Sequence, residues 1–197
     1  SSDLTYDLNG NIETMWRKGS TAENNLGFAT AFGVIDNMIY SYANNSNTLL
    51  KVSDSGLNTD GFKDGTNTGN DYTYDANGNL KTDANKNITS ITYNHLNLPK
   101  VITFANGNTI TWLYDAAGVK LQKQTFEATL NTTHTHDYIG GIEYQDNVLE
   151  AIYTDEGRAK PYGTTYRYEY TIKDHLGNSR VMFCDVDNDG IVTESEI

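Results

Sequence analysis

The chain lacks most of what builds an ordinary apolar interior. Only 37% of its 197 residues are hydrophobic, and mean hydropathy is −0.59. No apolar run approaches the roughly 18 residues that a membrane-spanning helix requires, so no such span is predicted. Proline is nearly absent, with Pro99 and Pro161 alone, and glycine follows no three-residue period, which excludes a collagen-like chain. Basic residues are scarce: 14 Lys and Arg face 26 Asp and Glu, for a net charge of −12 and a pI of about 4.6. A phosphate backbone needs a basic face, so nucleic acid is excluded as a partner class. The lone cysteine, Cys184, permits no internal disulfide. It stands beside an acidic cluster, a poor place for a thiolate nucleophile. There is no glycine-rich phosphate loop and no dinucleotide fingerprint. The opening SSDLTYDLNG has no basic and apolar leader and no initiator Met, which reads as a piece of something longer.

What is abundant points to strands and tight turns. The sequence holds 14 Tyr, 6 Phe, 2 Trp, 25 Thr, 23 Asn and 17 Gly. Tyr and Thr favour strands; Asn and Gly favour turns. LTYDLNGNI (Leu4 to Ile12) nearly recurs as YTYDANGNL (Tyr72 to Leu80). Weaker copies are IYSYANNSNTL (from Ile39), ITYNHLNLPKV (from Ile91) and WLYDAAGVKL (from Trp112). The marker tyrosines are Tyr6, Tyr42, Tyr74, Tyr93 and Tyr114. The last three lie 19 and 21 residues apart, and the 36-residue gap after Tyr6 accommodates a degenerate unit. Each unit reads as an alternating strand ending in Tyr-Asp, a turn whose Asn-Gly tolerates φ > 0, and a returning strand. Asn106-Gly107 is the clearest single hairpin turn. Residues 16–38 fit least well and admit a loop, one short helix or an eroded repeat. Residues 53–71 read as a long turn-rich connection. The stripes Tyr166, Tyr168, Tyr170, Ile172 and Ile110, Trp112, Tyr114 are expected to face a sheet core, with a sugar-stacking platform as the alternative.

Units of the form YDxxGN at this period resemble the YD repeats of Rhs (rearrangement hotspot) and related polymorphic-toxin proteins. DHLGNSRV (Asp174 to Val181) looks like the opening of the Rhs repeat-associated core, and an acidic loop inserted directly after it is a form associated with Bacteroidetes members. The resemblance covers residues 1–15 and 72–197. It implies an all-β fold, with antiparallel hairpins forming part of a spiral, shell-like sheet that encloses a C-terminal toxin. It places the protein outside the bacterial cell or on its surface, with the remainder of the parent chain and its toxin as partners. A chain this short does not close a shell, and it stops before the autocleavage motif and the toxin, so only a non-catalytic scaffold role is carried over. The expected organisation is degenerate YD hairpins over 1–71, YD/Rhs-core hairpins over 72–184 and an acidic loop over 185–197. The alternative function is a carbohydrate- or cell-surface-binding module.

The strongest chemical motif is DVDNDGIVTESE, which fits the 12-residue EF-hand loop. Asp185, Asp187 and Asp189 take positions 1, 3 and 5, with Gly190 at the sharp turn. Ile191 offers a backbone carbonyl, Thr193 ligates directly or through water, and Glu196 closes the loop as a bidentate ligand. Four carboxylates give the hard oxygen set that Ca²⁺ prefers. RVMFC before the loop reads as a strand, so the entering helix is missing and weak, structural calcium binding is expected. His134, His136 and Asp137 in THTHD admit a weak transition-metal reading, and Asp174 reads as a turn cap rather than half of a catalytic dyad.

Overall fold

The computed structural model describes residues 2–57, 59–65, 68–187 and 191–196. Sixteen strands follow one another: β1 (Ser2–Tyr6), β2 (Ile12–Glu23), β3 (Ala29–Tyr42), β4 (Leu49–Asp54), β5 (Tyr72–Tyr74), β6 (Leu80–Asp83), β7 (Ile88–Tyr93), β8 (Pro99–Phe104), β9 (Thr109–Tyr114), β10 (Lys120–Glu127), β11 (Thr132–Ile139), β12 (Ile142–Gln145), β13 (Val148–Tyr153), β14 (Gly157–Tyr162), β15 (Thr165–Lys173) and β16 (Ser179–Phe183). Strands occupy 57% of the described residues and α-helix none of them. The all-β, antiparallel hairpin expectation therefore holds.

The turns explain why the strands reverse where they do. Asp7 accepts hydrogen bonds through Oδ1 from the amides of Asn9 and Asn11 (2.9 and 2.8 Å) and through Oδ2 from Asn11 Nδ2 (2.8 Å). Its own carbonyl accepts from Gly10 N, and Gly10 sits at φ +83°, where a side chain is disfavoured. Asp75 repeats the arrangement with Asn77, Gly78 and Asn79. Asn94, Asp115 and Asp174 each accept from the amides two and four residues on. In the Asn94 copy Asn97 takes the left-handed position at φ +58°, which Asn tolerates better than other side chains.

Asn24 forms the same turn, accepting from Leu26 N and Phe28 N. Of the three readings admitted for residues 16–38, the eroded repeat holds and the short helix does not: β2 and β3 are its two long strands, paired from Thr14↔Ile39 to Glu23↔Ala29. Glu23 stands where the units of Tyr6, Tyr42, Tyr74, Tyr93 and Tyr114 carry tyrosine, so this unit has no marker of its own. A local turn closed by an Asn side chain and the β-rich stretch FATAFGVI override any helical tendency.

Tyrosines tie each unit to the one before. Tyr42 Oη donates to the Ile12 carbonyl (2.9 Å), Tyr74 to Leu49 (2.7 Å), Tyr93 to Leu80 (2.7 Å) and Tyr114 to Pro99 (3.0 Å). Each acceptor lies at the start of a strand, six or seven residues past the preceding marker tyrosine. Tyr42, Tyr74, Tyr93 and Tyr114 share one environment, as stacked repeats require, whereas Tyr6 is exposed. Burial pushes all four phenols above their usual range, so they remain donors at neutral pH.

The chain forms two compact units. The first comprises Ser1–Tyr93 and Ile102–Asn106. It holds the four-stranded sheet β1-β2-β3-β4, strands β5 to β7 and the end of β8. Its apolar core is small: Ile35, Met38, Val52, Ile88 and Ile91. Three aspartates are buried with them. Asp36 ion-pairs with Arg17 and accepts from Phe62 N (2.7 Å). Asp71 accepts from Val52 N (2.7 Å) and Asn85 Nδ2 (3.0 Å). Asp83 accepts from Lys86 N (3.0 Å) and pairs with Lys86 Nζ (3.2 Å). The turn-rich connection is folded back onto β3. Leu57 N donates to the Ile35 carbonyl, and Gly61 lies so close to that oxygen that a Cβ there would sit 2.2 Å from it.

The second unit comprises Asn94–Val101 and Gly107–Ile197. Strands β9 to β16 pair with their sequence neighbours in turn. Its only fully buried apolar residues among those described are Ala151 and Ala159. One stripe differs from expectation. Tyr166, Tyr168, Tyr170 and Ile172 are 43%, 55%, 43% and 54% exposed, while Arg167, Glu169 and Thr171 on the other face are half-buried. On that other face Glu169 forms an ion pair with Arg158 of β14, which helps cover it. The Ile110, Trp112, Tyr114 stripe is half-buried, nearer the expected environment.

Two outcomes are expected. Tyr93→Phe removes one interrepeat hydrogen bond and lowers unfolding free energy by about 1 kcal/mol, measured by urea denaturation; an unchanged midpoint would contradict the tie. The second concerns acid. Side-chain hydrogen bonds from Asn11, Asn79 and Asn178 hold the carboxyls of Asp7, Asp75 and Asp174 below the usual range. Their contribution is complete above the unfolded value of about 4 and is lost as pH falls through the lowered folded values. Asp75→Asn, which copies the native Asn94 turn without a titrating group, should keep the fold and flatten the acid limb of stability against pH.

Candidate functional site

The acidic segment after β16 is entered from a strand, as RVMFC indicated. It closes on itself through Glu196. Glu196 Oε1 accepts from Val186 N (2.6 Å), and Oε2 accepts from Thr193 N (2.8 Å) and Thr193 Oγ1 (2.9 Å). The Glu196 carbonyl accepts from Cys184 N (3.1 Å), and Glu196 N donates to Thr193 O (3.0 Å) within a 3₁₀ turn at Glu194–Glu196. The amides of Thr193 and then Val186 hold its carboxyl below the ordinary glutamate range.

Carboxylate oxygens of Asp185, Asp187 and Glu196 lie within 4.8 Å of one another. Asp185 and Glu196 are half-buried and Asp187 is exposed. Thr193 and Ile191 are exposed, with the Thr193 hydroxyl on the Glu196 carboxylate. Asp189 and Gly190 lie outside the described residues. Three carboxylates converging on one spot form a hard, anionic oxygen set, the kind that suits a hard divalent cation rather than a soft one.

The two histidines of THTHD do not gather one ligand set with Asp137. His134 Nδ1 lies 2.8 Å from Asp146 Oδ2, and this contact brings Asp146 down to about 2. Asp137 accepts from Gln122 Nε2 (2.7 Å). His136 turns to Glu143 (3.1 Å) and Glu150 (3.4 Å). A shared strand face brings neighbouring side chains alongside one another, but each histidine follows the acid on its own side. Sequence reasoning missed Glu143 and Glu150 because a β-bulge in β13, which no local motif announces, brings them together. Asp174 is a turn cap, as read, and also holds Arg180 (2.9 Å). No helix among the described residues is long and apolar enough to cross a membrane.

No protein-family model matches the chain, and no curated protein matches it in sequence. Solved structures do. A chain in the structure of the Photorhabdus luminescens Tc holotoxin pore carrying a TccC3 mutation superposes with a TM-score of 0.58 at 13% identity, over 93% of this chain and 9% of that one. A crystal structure of TcdB2-TccC3 without its hypervariable C-terminal region gives a TM-score of 0.45 at 13% identity, over 93% and 11%. The first likeness shows a common β-hairpin fold. The chain spans about a tenth of the length of the chains it matches.

Proposed function

We propose that this chain is a non-catalytic scaffold segment of a secreted or surface-exposed Rhs/YD-repeat protein, with one calcium site in the loop from Asp185 to Glu196. The observation that carries the scaffold reading is the series of tyrosine ties running from Tyr42 to Ile12 and on to Tyr114 and Pro99. Residue types that another protein commits to a pocket are spent here on joining one hairpin to the next. The shared fold with a Tc holotoxin chain supports the reading. Its partners are the rest of its parent chain and the C-terminal domain that such a shell encloses.

Calcium fits that role. The converging carboxylates of Asp185, Asp187 and Glu196 repel at close range, and a divalent cation relieves them. Asp189 is the fourth acidic ligand of the motif. A strand-entered, unpaired loop is expected to bind in the weak extracellular range of about 10⁻⁴ to 10⁻³ M, useful where calcium is abundant.

A second reading has one observation in its favour. The exposed row Tyr166, Tyr168 and Tyr170 on β15 presents phenol rings at every second residue, a platform on which sugar rings stack.

Calcium at about ten times Kd should add roughly 1.4 kcal/mol of stability. Thermal unfolding in millimolar calcium should exceed that in chelator, and Asp185→Ala should abolish the difference. Identical curves with no calcium bound in calorimetry would reduce the loop to an acidic turn. A protein recovered from the cytosol, and absent from the cell surface and medium, would contradict the scaffold's location. For the second reading, a glycan-array signal should disappear in Tyr168→Ala; no signal from the unaltered chain removes that reading.

A further inference from the structure

His136, Glu143 and Glu150 sit on three consecutive strands of the second unit, β11, β12 and β13. Their convergence follows from register. Glu143 pairs with Tyr138 across β11–β12, two residues from His136, so their side chains share a face. Across β12–β13, Glu143 pairs with Ala151 and Tyr144 with Leu149, which leaves Glu150 as the extra residue of a bulge. A bulge re-aims the side chain it carries. Here it turns Glu150 toward the same imidazole.

The result is two carboxylates on one ring nitrogen. His136 Nε2 lies 3.1 Å from Glu143 Oε2 and 3.4 Å from Glu150 Oε2, and the ligand atoms all fall within 4.8 Å of one another. His136 and Glu143 side chains are only 19% and 23% exposed. Glu150 is 42% exposed as a side chain, yet its Oε2 is sealed from solvent and accepts no hydrogen bond from a described residue. Neither glutamate ion-pairs with a lysine or arginine among the described residues. Tyr138 stacks on the His136 ring at 4.8 Å and 12°, and Tyr153 Oη donates to Glu143 Oε2 (3.3 Å), so ring and carboxylate are both oriented from behind.

We propose that His136, Glu143 and Glu150 bind a borderline divalent cation of the zinc class. Bonds of about 2.0–2.2 Å in a tetrahedron set ligand atoms roughly 3.3–3.6 Å apart, near the 3.1 and 3.4 Å observed. One imidazole with two carboxylates suits zinc better than calcium or magnesium, which take oxygen alone. The fourth position is left for water. Bound there, the ion joins three strands of a unit whose only fully buried apolar side chains among the described residues are two alanines. The site shares no residue with the calcium loop and stands or falls separately from it.

The test uses the full chain in millimolar calcium, so that the acidic loop is occupied. Zinc is titrated against a chromophoric chelator. One zinc per chain is expected, with affinity lowered by at least about tenfold in Glu150→Gln and in His136→Gln and unchanged in His134→Gln, whose ring turns to Asp146 instead. Metal-free circular dichroism spectra should match across the variants. In the unaltered chain, zinc should shift the ring-nitrogen resonance of His136, a readout that needs no variant. Absence of zinc binding by the unaltered chain, zinc retained in both His136→Gln and Glu150→Gln, or a His136 ring that does not respond to zinc would each overturn the proposal.

Discussion

A phenol hydroxyl reaching back to the carbonyl that opens a strand of the preceding repeat is the contact on which the rest of the structure depends. The described residues include only seven fully buried apolar side chains, far too few for hydrophobic burial to hold sixteen strands together unaided. Tyrosine resolves this with one side chain. Its ring covers the strand beside it, and its hydroxyl satisfies a carbonyl near a turn, where ladder pairing runs out. Asp or Asn closes most of these turns from within, and Ser46 serves the turn after Tyr42, so a unit arrives already reversed and needs only to be tied on. The composition follows from this arrangement: poor in aliphatics, rich in Tyr, Thr, Asn and Gly.

Carboxylates take a parallel part inside the first unit. Asp36, Asp71 and Asp83 are essentially inaccessible and accept from backbone or side-chain N–H groups, or pair with Arg17 and Lys86. Buried charge is tolerated when it is paired and hydrogen-bonded. Part of the net negative charge is therefore internal architecture rather than surface repulsion. Asp36 and Asp71 reach segments far from them in sequence, and in this way the irregular connection acquires a fixed place on β3 and β4.

The repeat was legible because its chemistry is local. Tyr-Asp before a turn and Asn-Gly within it announce themselves in single copies, and the Asp7 and Asp75 turns match almost atom for atom. Where the marker tyrosine was replaced, as by Glu23 before the Asn24 turn, the spacing still left room for a degenerate unit, but nothing local distinguished it from a loop or a short helix. The side of the sheet that each stripe faces was not legible. Alternation places Tyr166, Tyr168 and Tyr170 together, but which face is covered depends on what lies over the sheet, which no strand encodes alone. In the acidic loop the residues of the motif were legible, and the closure of Glu196 onto Val186 and Thr193 was not. Glu143 and Glu150 were hidden for another reason: their meeting depends on one residue of register slip.

The tyrosine ties also have a direction. Every donor belongs to a later repeat and every acceptor to an earlier one. During synthesis or export amino end first, a newly emerged hairpin thus meets an acceptor that is already in place. With strands paired largely to their sequence neighbours, little loop-closure entropy stands in the way. The fold is suited to vectorial growth, each hairpin laid onto the free edge left by the last. A chain emerging in the reverse order would hold each tyrosine without its acceptor until the next repeat followed.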